Sequence, residues 1–140
     1  MRDPMTPLPK TATFLIGILN MLNKNTNNKV LILTPTRELA YQVHSVASSI
    51  INYSKHTISL CTGGTEFQTH TTDIIIGTIG RVLHMIEIKK LPIENITNFI
   101  IDEADSMTNE KDCMELNKLI YKIPKSAQKI LISATLTPSV

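Results

Sequence analysis

The chain has 140 residues, 42% hydrophobic and 19% charged, with a formal net charge of +2 at pH 7. That length suits one globular domain able to bury its own core, and no apolar run approaches the roughly 20 residues needed to cross a bilayer. Residues 1–10 hold Pro4, Pro7 and Pro9 and lack the basic stretch and apolar run of a secretory signal, so the reading is an intracellular protein, cytoplasmic or nuclear. Cys61 and Cys113 have no partner cysteine or histidine at zinc-like spacing, which argues against a disulfide framework or a metal site and for packing roles. A charge of +2 is too small to declare a nucleic-acid partner by itself. Arginine is confined to Arg2, Arg37 and Arg81, and the last two lie beside turn-like residues.

In chain order, Thr11 to Leu22 is apolar and helix-compatible, and Asn23 to Asn28 is a polar break. Lys29 to Leu33 predicts a short buried strand. From Thr36, the apolar positions Leu39, Val43, Val46, Ala47 and Ile50 recur at three- and four-residue steps, predicting an amphipathic helix that ends near Asn52. Further strands are expected at Thr57 to Cys61, Asp73 to Ile76, Asn98 to Ile101 and Lys129 to Ile132. Helical stripes run through Val82, Met85 and Ile86, and through Leu116, Leu119 and Ile120. Met85, Met107 and Met114 are expected in the core, and Lys89 and Lys90 at a solvated helix end.

Apolar strands alternating with helices imply a parallel sheet covered on both faces, an α/β layout. Ligands of such sheets bind outside the carboxyl ends of the strands. The strand-end segments are Pro35 to Ala40 (PTRELA), Thr62 to Gly64 (TGG), Gly77 to Arg81 (GTIGR), Asp102 to Asp105 (DEAD) and Ser133 to Thr135 (SAT). Two carboxylates, Asp102 and Glu103, directly after the apolar run NFII are expected at the exposed lip of the sheet, where they call for a cation. The plainer alternative is an acidic turn capping the next helix.

In identity, order and approximate spacing these segments resemble motifs Ia, GG, Ib, II and III of the DEAD-box RNA helicases. The resemblance runs from about Lys10 to Pro138. It implies a RecA-like P-loop NTPase fold, a three-layer sandwich around a mostly parallel sheet. By resemblance, Asp102 is the Mg²⁺-associated acid and Glu103 orients and deprotonates the attacking water of ATP hydrolysis. Ser133 and Thr135 would bond the carboxylate of Asp105 and relay the nucleotide state. Pro35, Thr36, Arg37, Gly63, Gly64, Thr78, Gly80 and Arg81 would grip the backbone of single-stranded RNA without reading bases.

The chain departs from the pattern at its start. A phosphate loop reads G-x-x-x-x-G-K-[ST]; Lys10 and Thr11 supply its ending, with Thr11 reaching Mg²⁺, but the glycine positions hold Pro4 and Pro9. Proline has no N–H and a fixed φ, so it cannot cradle phosphate. Weak or no ATP binding is therefore expected. Residues 1–10 read as an irregular remnant of that loop and 11–140 as a partial first RecA-like domain. The family's first strand would lie upstream, leaving the edge of the strand ending at Ile132 exposed, and the second RecA-like domain, with its arginine finger, would lie beyond Val140. Ile79 stands where motif Ib usually has proline, and the stretch from Gly64 to Gly77 looks shorter than usual, as if a helix were trimmed.

Three functions follow as expectations. The chain is part of an ATP-dependent RNA helicase, inactive alone and completed by a second RecA-like domain. Alternatively, it is a non-catalytic module that grips RNA or docks onto a helicase partner or cofactor protein, or it is a relic.

Overall fold

In the computed structural model, residues 8–25, 27–51, 55–63 and 72–132 are described, with side chains from residue 12 onward. The elements are α1 (Leu8–Lys24), β1 (Val30–Thr34), α2 (Arg37–Ile51), β2 (Ile58–Cys61), β3 (Ile74–Thr78), α3 (Ile79–Glu87), β4 (Asn98–Asp102), a 3₁₀ turn (Ala104–Ser106), α4 (Glu110–Lys122) and β5 (Gln128–Ile132). Every expected strand and helix is present, with ends moved by a few residues.

The strands form one sheet in the order β2-β3-β1-β4-β5, and all four pairings are parallel. Alternate residues of a strand face opposite sides. Thus Val30 and Ile32 of β1 pack with Leu15, Ile18 and Leu22 of α1 and with Val43 and Ala47 of α2. Leu31 and Leu33 pack with Val82 and Met85 of α3, Leu119 of α4 and Phe99 of β4. Helices on both faces explain why β1, β3 and β4 read as unbroken apolar runs.

The buried stripe of α2 is Ala40, Val43, Ala47 and Ile51, rotated by about one residue from the sequence reading. Leu39, Val46 and Ile50 flank it, partly buried. Helix α1 starts at Leu8, earlier than expected, and takes in Pro9. A first-turn proline forfeits no helix hydrogen bond, because N–H groups there have no partner inside the helix. Helix α3 ends with Lys89 at φ 63°, where Lys89 N–H donates to Ile86 O and Lys90 N–H to Met85 O. This is the Schellman closure, with a lysine in the left-handed position usually given to glycine. Both lysines are exposed, as expected.

Two packing expectations are corrected. Met114 is 56% exposed, because its place on α4 faces away from the sheet, whereas Met85 and Met107 are buried. Cys113 is exposed on the same helix, while Cys61 is fully buried. Among the described residues the outer edge of β5 is unpaired, as expected: β5 is the last strand of the sheet and Leu131 is 69% exposed. Beside it, an apolar groove runs between Phe14, Ile18 and Met21 of α1 and Ile130 and Ile132 of β5. No helix among the described residues is long and apolar enough to cross a membrane.

The starting ends of the strands are tied by polar groups around Asp73. Lys29 Nζ donates to Asp73 Oδ1 at 2.8 Å, and Thr57 N–H donates to Oδ2 at 3.0 Å. His56, buried, places Nδ1 3.5 Å from Oδ2 and Nε2 2.7 Å from Asn23 Oδ1. One carboxylate thus joins the start of β1, the approach to β2 and the approach to β3.

Burial pushes the Asp73 carboxyl up, but the hydrogen bonds from Lys29 and Thr57 and the nearby positive charges hold it below its ordinary value. A depressed carboxylate stabilises the fold above its unfolded-state pKa, and that contribution is lost as pH falls through the depressed value. Asp73→Asn is expected to lower stability at neutral pH by about 1 kcal/mol. It should also flatten the decline on acidification; urea midpoints measured from neutral to acid pH check both effects.

Candidate functional site

Parallel pairing puts the carboxyl end of every strand on one rim. In register, Thr34 of β1 lies opposite Thr78 of β3, Cys61 of β2 opposite Gly77, and Asp102 of β4 opposite Ile132 of β5. The strand order then divides the rim. Gly63 follows β2, Thr78 ends β3 with Ile79 to Arg81 after it, and Pro35 to Arg37 follow β1; the acidic turn follows β4.

Three contacts shape the first part. Thr36 caps α2, its Oγ1 accepting from Leu39 N–H at 3.1 Å, while Thr34 Oγ1 donates to Thr36 O at 3.0 Å. Arg37, at the start of α2, donates from Nη1 to Gly63 O at 3.4 Å, tying the turn after β1 to the turn after β2. Thr78 precedes α3 with extended backbone and makes no side-chain cap bond, so the first-turn amides of α3 are not satisfied by their own cap.

Gly77 is needed by contact. A Cβ there would collide with the Cys61 carbonyl oxygen and meet Val82 Cγ2 at 2.7 Å. β2, β3 and α3 meet at this point. Arg81, in the first turn of α3, is half-buried, and its Nε is buried without a hydrogen-bond partner. Burial pushes the Cys61 thiol up to about 12, with the Arg81 charge pulling weakly the other way. At neutral pH Cys61 is a protonated packing group.

The acidic turn differs from its expected setting. Asp102, the last residue of β4, is 8% exposed and so lies inside the rim rather than on an open lip. The strand carries it into the sheet one step farther than the sequence suggested. Glu103 follows at φ 55°, ψ 47°, a left-handed conformation that costs a non-glycine residue about 1 kcal/mol. That reversal turns the chain into the 3₁₀ segment and leaves Glu103 half-buried and Asp105 exposed at the rim. Non-glycine strain of this kind is characteristic of functional turns.

Gly64, Ser133 and Thr135 lie outside the described residues, as do Pro4 and the shortened stretch after Gly64; Lys10 and Thr11 are placed only as backbone of the first turns of α1. Among the described residues, no group of three or more His, Cys, Asp or Glu side chains gathers to hold a metal ion. Sequence reasoning passed over Thr34 and gave no role to Thr62 within the TGG segment; both are fully buried at the carboxyl ends of β1 and β2. Thr34 was legible as the residue continuing the apolar run. It also passed over Glu115, whose position beside Gly80 has no sequence signal.

This is the rim of a RecA-like α/β domain, with amides, hydroxyls and arginines over one half and a buried acid under the other. The sequence model of DEAD/DEAH box helicases matches residues 9–140, and the chain belongs to that family. It is 41% identical over 142 residues to the ATP-dependent RNA helicase drs1 of Schizosaccharomyces pombe, covering 94% of this chain and 19% of that protein. A DEAD box protein from Methanococcus jannaschii superposes with a TM-score of 0.80 at 33% identity, over 91% of this chain and 37% of that one. S. cerevisiae Dbp5, solved bound to RNA and ADP BeF3, gives 0.75 at 29% identity, over 91% and 34%. The chain therefore spans about a fifth to a third of these relatives.

The packing at Gly77 carries a prediction. Gly77→Ala should destabilise the domain by about 1–3 kcal/mol, because the obstacle is the backbone of β2. Urea denaturation measures the loss, and an unchanged midpoint contradicts the contact.

Proposed function

We propose that this chain acts as the first RecA-like domain of a DEAD-box RNA helicase, gripping the backbone of single-stranded RNA while binding ATP weakly or not at all. One observation carries the reading: the glycine, threonine and arginine positions after β2, β3 and β1 form a continuous half of the rim, adjoining the buried acid of β4. Pro35, Thr36, Arg37, Gly63, Gly64, Thr78, Gly80 and Arg81 are the proposed RNA contacts. They hold phosphate through amides, hydroxyls and guanidinium charge, with no base edge read. Dbp5, which shares this domain's fold, is seen with RNA bound.

On the nucleotide side, Asp102 and Glu103 are the proposed catalytic acids, with Asp105, Ser133 and Thr135 as the proposed link to nucleotide state. Bound ATP with Mg²⁺ would supply the polarised phosphoryl group. Asp102, buried at the strand end, fits a Mg²⁺ held mainly by nucleotide phosphates and water, with Thr11 as the other proposed residue, because that ion takes only one or two protein carboxylates. Glu103, turned back at the rim, is the group to orient water. Pro4 and Pro9 in place of phosphate-loop glycines remove amide donors that Lys10 alone does not replace. Residues 11–140 form a partial domain in this reading, acting inside the cell, and hydrolysis requires a second RecA-like domain closing on the same rim.

Two measurements test the proposal. In titrations of labelled oligouridylate, Arg37→Ala and Arg81→Ala should each weaken binding about fivefold at low salt and lower the log–log salt slope by about 0.7. An unmodified chain that shows no salt-sensitive binding removes the RNA reading. In calorimetry with a non-hydrolysable ATP analogue and Mg²⁺, the chain carrying Pro4→Gly and Pro9→Gly should bind more tightly than the unmodified one. Strong binding by the unmodified chain overturns the damaged-loop reading.

A further inference from the structure

The first turn of α3 has a neighbour that RNA binding does not call for. Glu115, half-buried on α4, places Oε1 and Oε2 at 3.7 and 3.8 Å from the point a Cβ on Gly80 would occupy. Gly80 is exposed, so its missing side chain leaves the backbone of this turn open toward the carboxylate. Thr78 gives α3 no side-chain cap, and no ion pair joins Arg81 to Glu115. The carboxylate therefore stands beside a helix start that has no side-chain cap, near the positive end of the helix dipole, where an anion is favoured. Glu115 is the acid that α3–α4 packing brings to this turn.

We infer that Glu115 is an electrostatic gate on the RNA face: its carboxylate competes with an RNA phosphate for the first turn of α3 and holds backbone affinity down. This rests on the proposed RNA reading and adds to it a residue that sets affinity. A phosphate approaching Gly80 and Arg81 meets a like charge within a few ångströms. At surface dielectric such a repulsion changes affinity about three- to tenfold, and salt screens it. Glu115 acts here as a positioning residue for charge and makes no proposed contact with RNA.

The test uses the 140-residue chain and labelled oligouridylate, titrated at low and moderate salt. Glu115→Gln keeps the shape and removes the charge; Glu115→Ala removes both. Glu94→Gln, in the loop between α3 and β4 at the opposite end of the sheet, makes the same change in net charge and serves as the control. Circular dichroism verifies folding.

Both Glu115 variants should bind about three- to tenfold tighter at low salt, with the gain shrinking as salt rises and Glu94→Gln near the unmodified chain. If the Glu115 variants bind no tighter while Arg81→Ala still weakens binding, the gate is wrong and the RNA face stands. An equal gain from Glu94→Gln reduces the effect to net charge and also overturns the gate. If no version binds, the RNA reading falls and this inference falls with it.

Discussion

Parallel strand pairing is the constraint on which the rest of this structure depends. In β2-β3-β1-β4-β5 every strand runs the same way, so every chain segment that leaves a strand does so at one rim. Each return journey needs a crossover, and the crossover helices cover the two faces. In β1, β3 and β4, where both faces are buried, polar and charged residues are confined to strand ends. Asp102 enters the core only as the last residue of β4, and Thr34 only as the last of β1.

The two ends of the sheet are built differently. At the starting end, Asp73 collects Lys29, Thr57 and His56, and Asn23 completes the arrangement. There Lys29 is paired with Asp73 and the Thr57 amide is bonded to the same carboxylate. At the carboxyl end, α3 begins without a side-chain cap, Arg81 Nε is buried without a partner, and Glu103 holds a left-handed turn. An uncapped helix start and an unpartnered guanidinium nitrogen thus stand at the carboxyl end, while the opposite end ties together the strands that carry them. Such a division suits the proposed role, in which one end of the sheet meets anions and the other holds the strands in register.

Close packing links the frame to the face. Gly77 lets the backbone of β3 approach Cys61 so tightly that no side chain fits, and this sets where Thr78 and the first turn of α3 emerge. Arg37 ties the turn after β1 to Gly63 after β2. Glu115 enters the same neighbourhood from α4, an element that contributes nothing to the family's motifs. The electrostatics of the rim therefore depend on helix packing as well as on the strand-end residues themselves.

The sequence by itself determined the elements and the family. Apolar runs such as Val30 to Leu33 and stripes such as Val82, Met85 and Ile86 carry their period in local order, and PTRELA, DEAD and SAT are legible as strings. It also exposed the prolines at the phosphate-loop positions, because a missing N–H is a property of the residue. Tertiary structure alone decided the burial of Asp102, the exposure of Met114 and Cys113, the anchoring by Asp73 and the approach of Glu115 to Gly80. Each depends on where separate elements meet across the sheet or between helices, and hydrophobic period fixes a residue's face without fixing what stands opposite it.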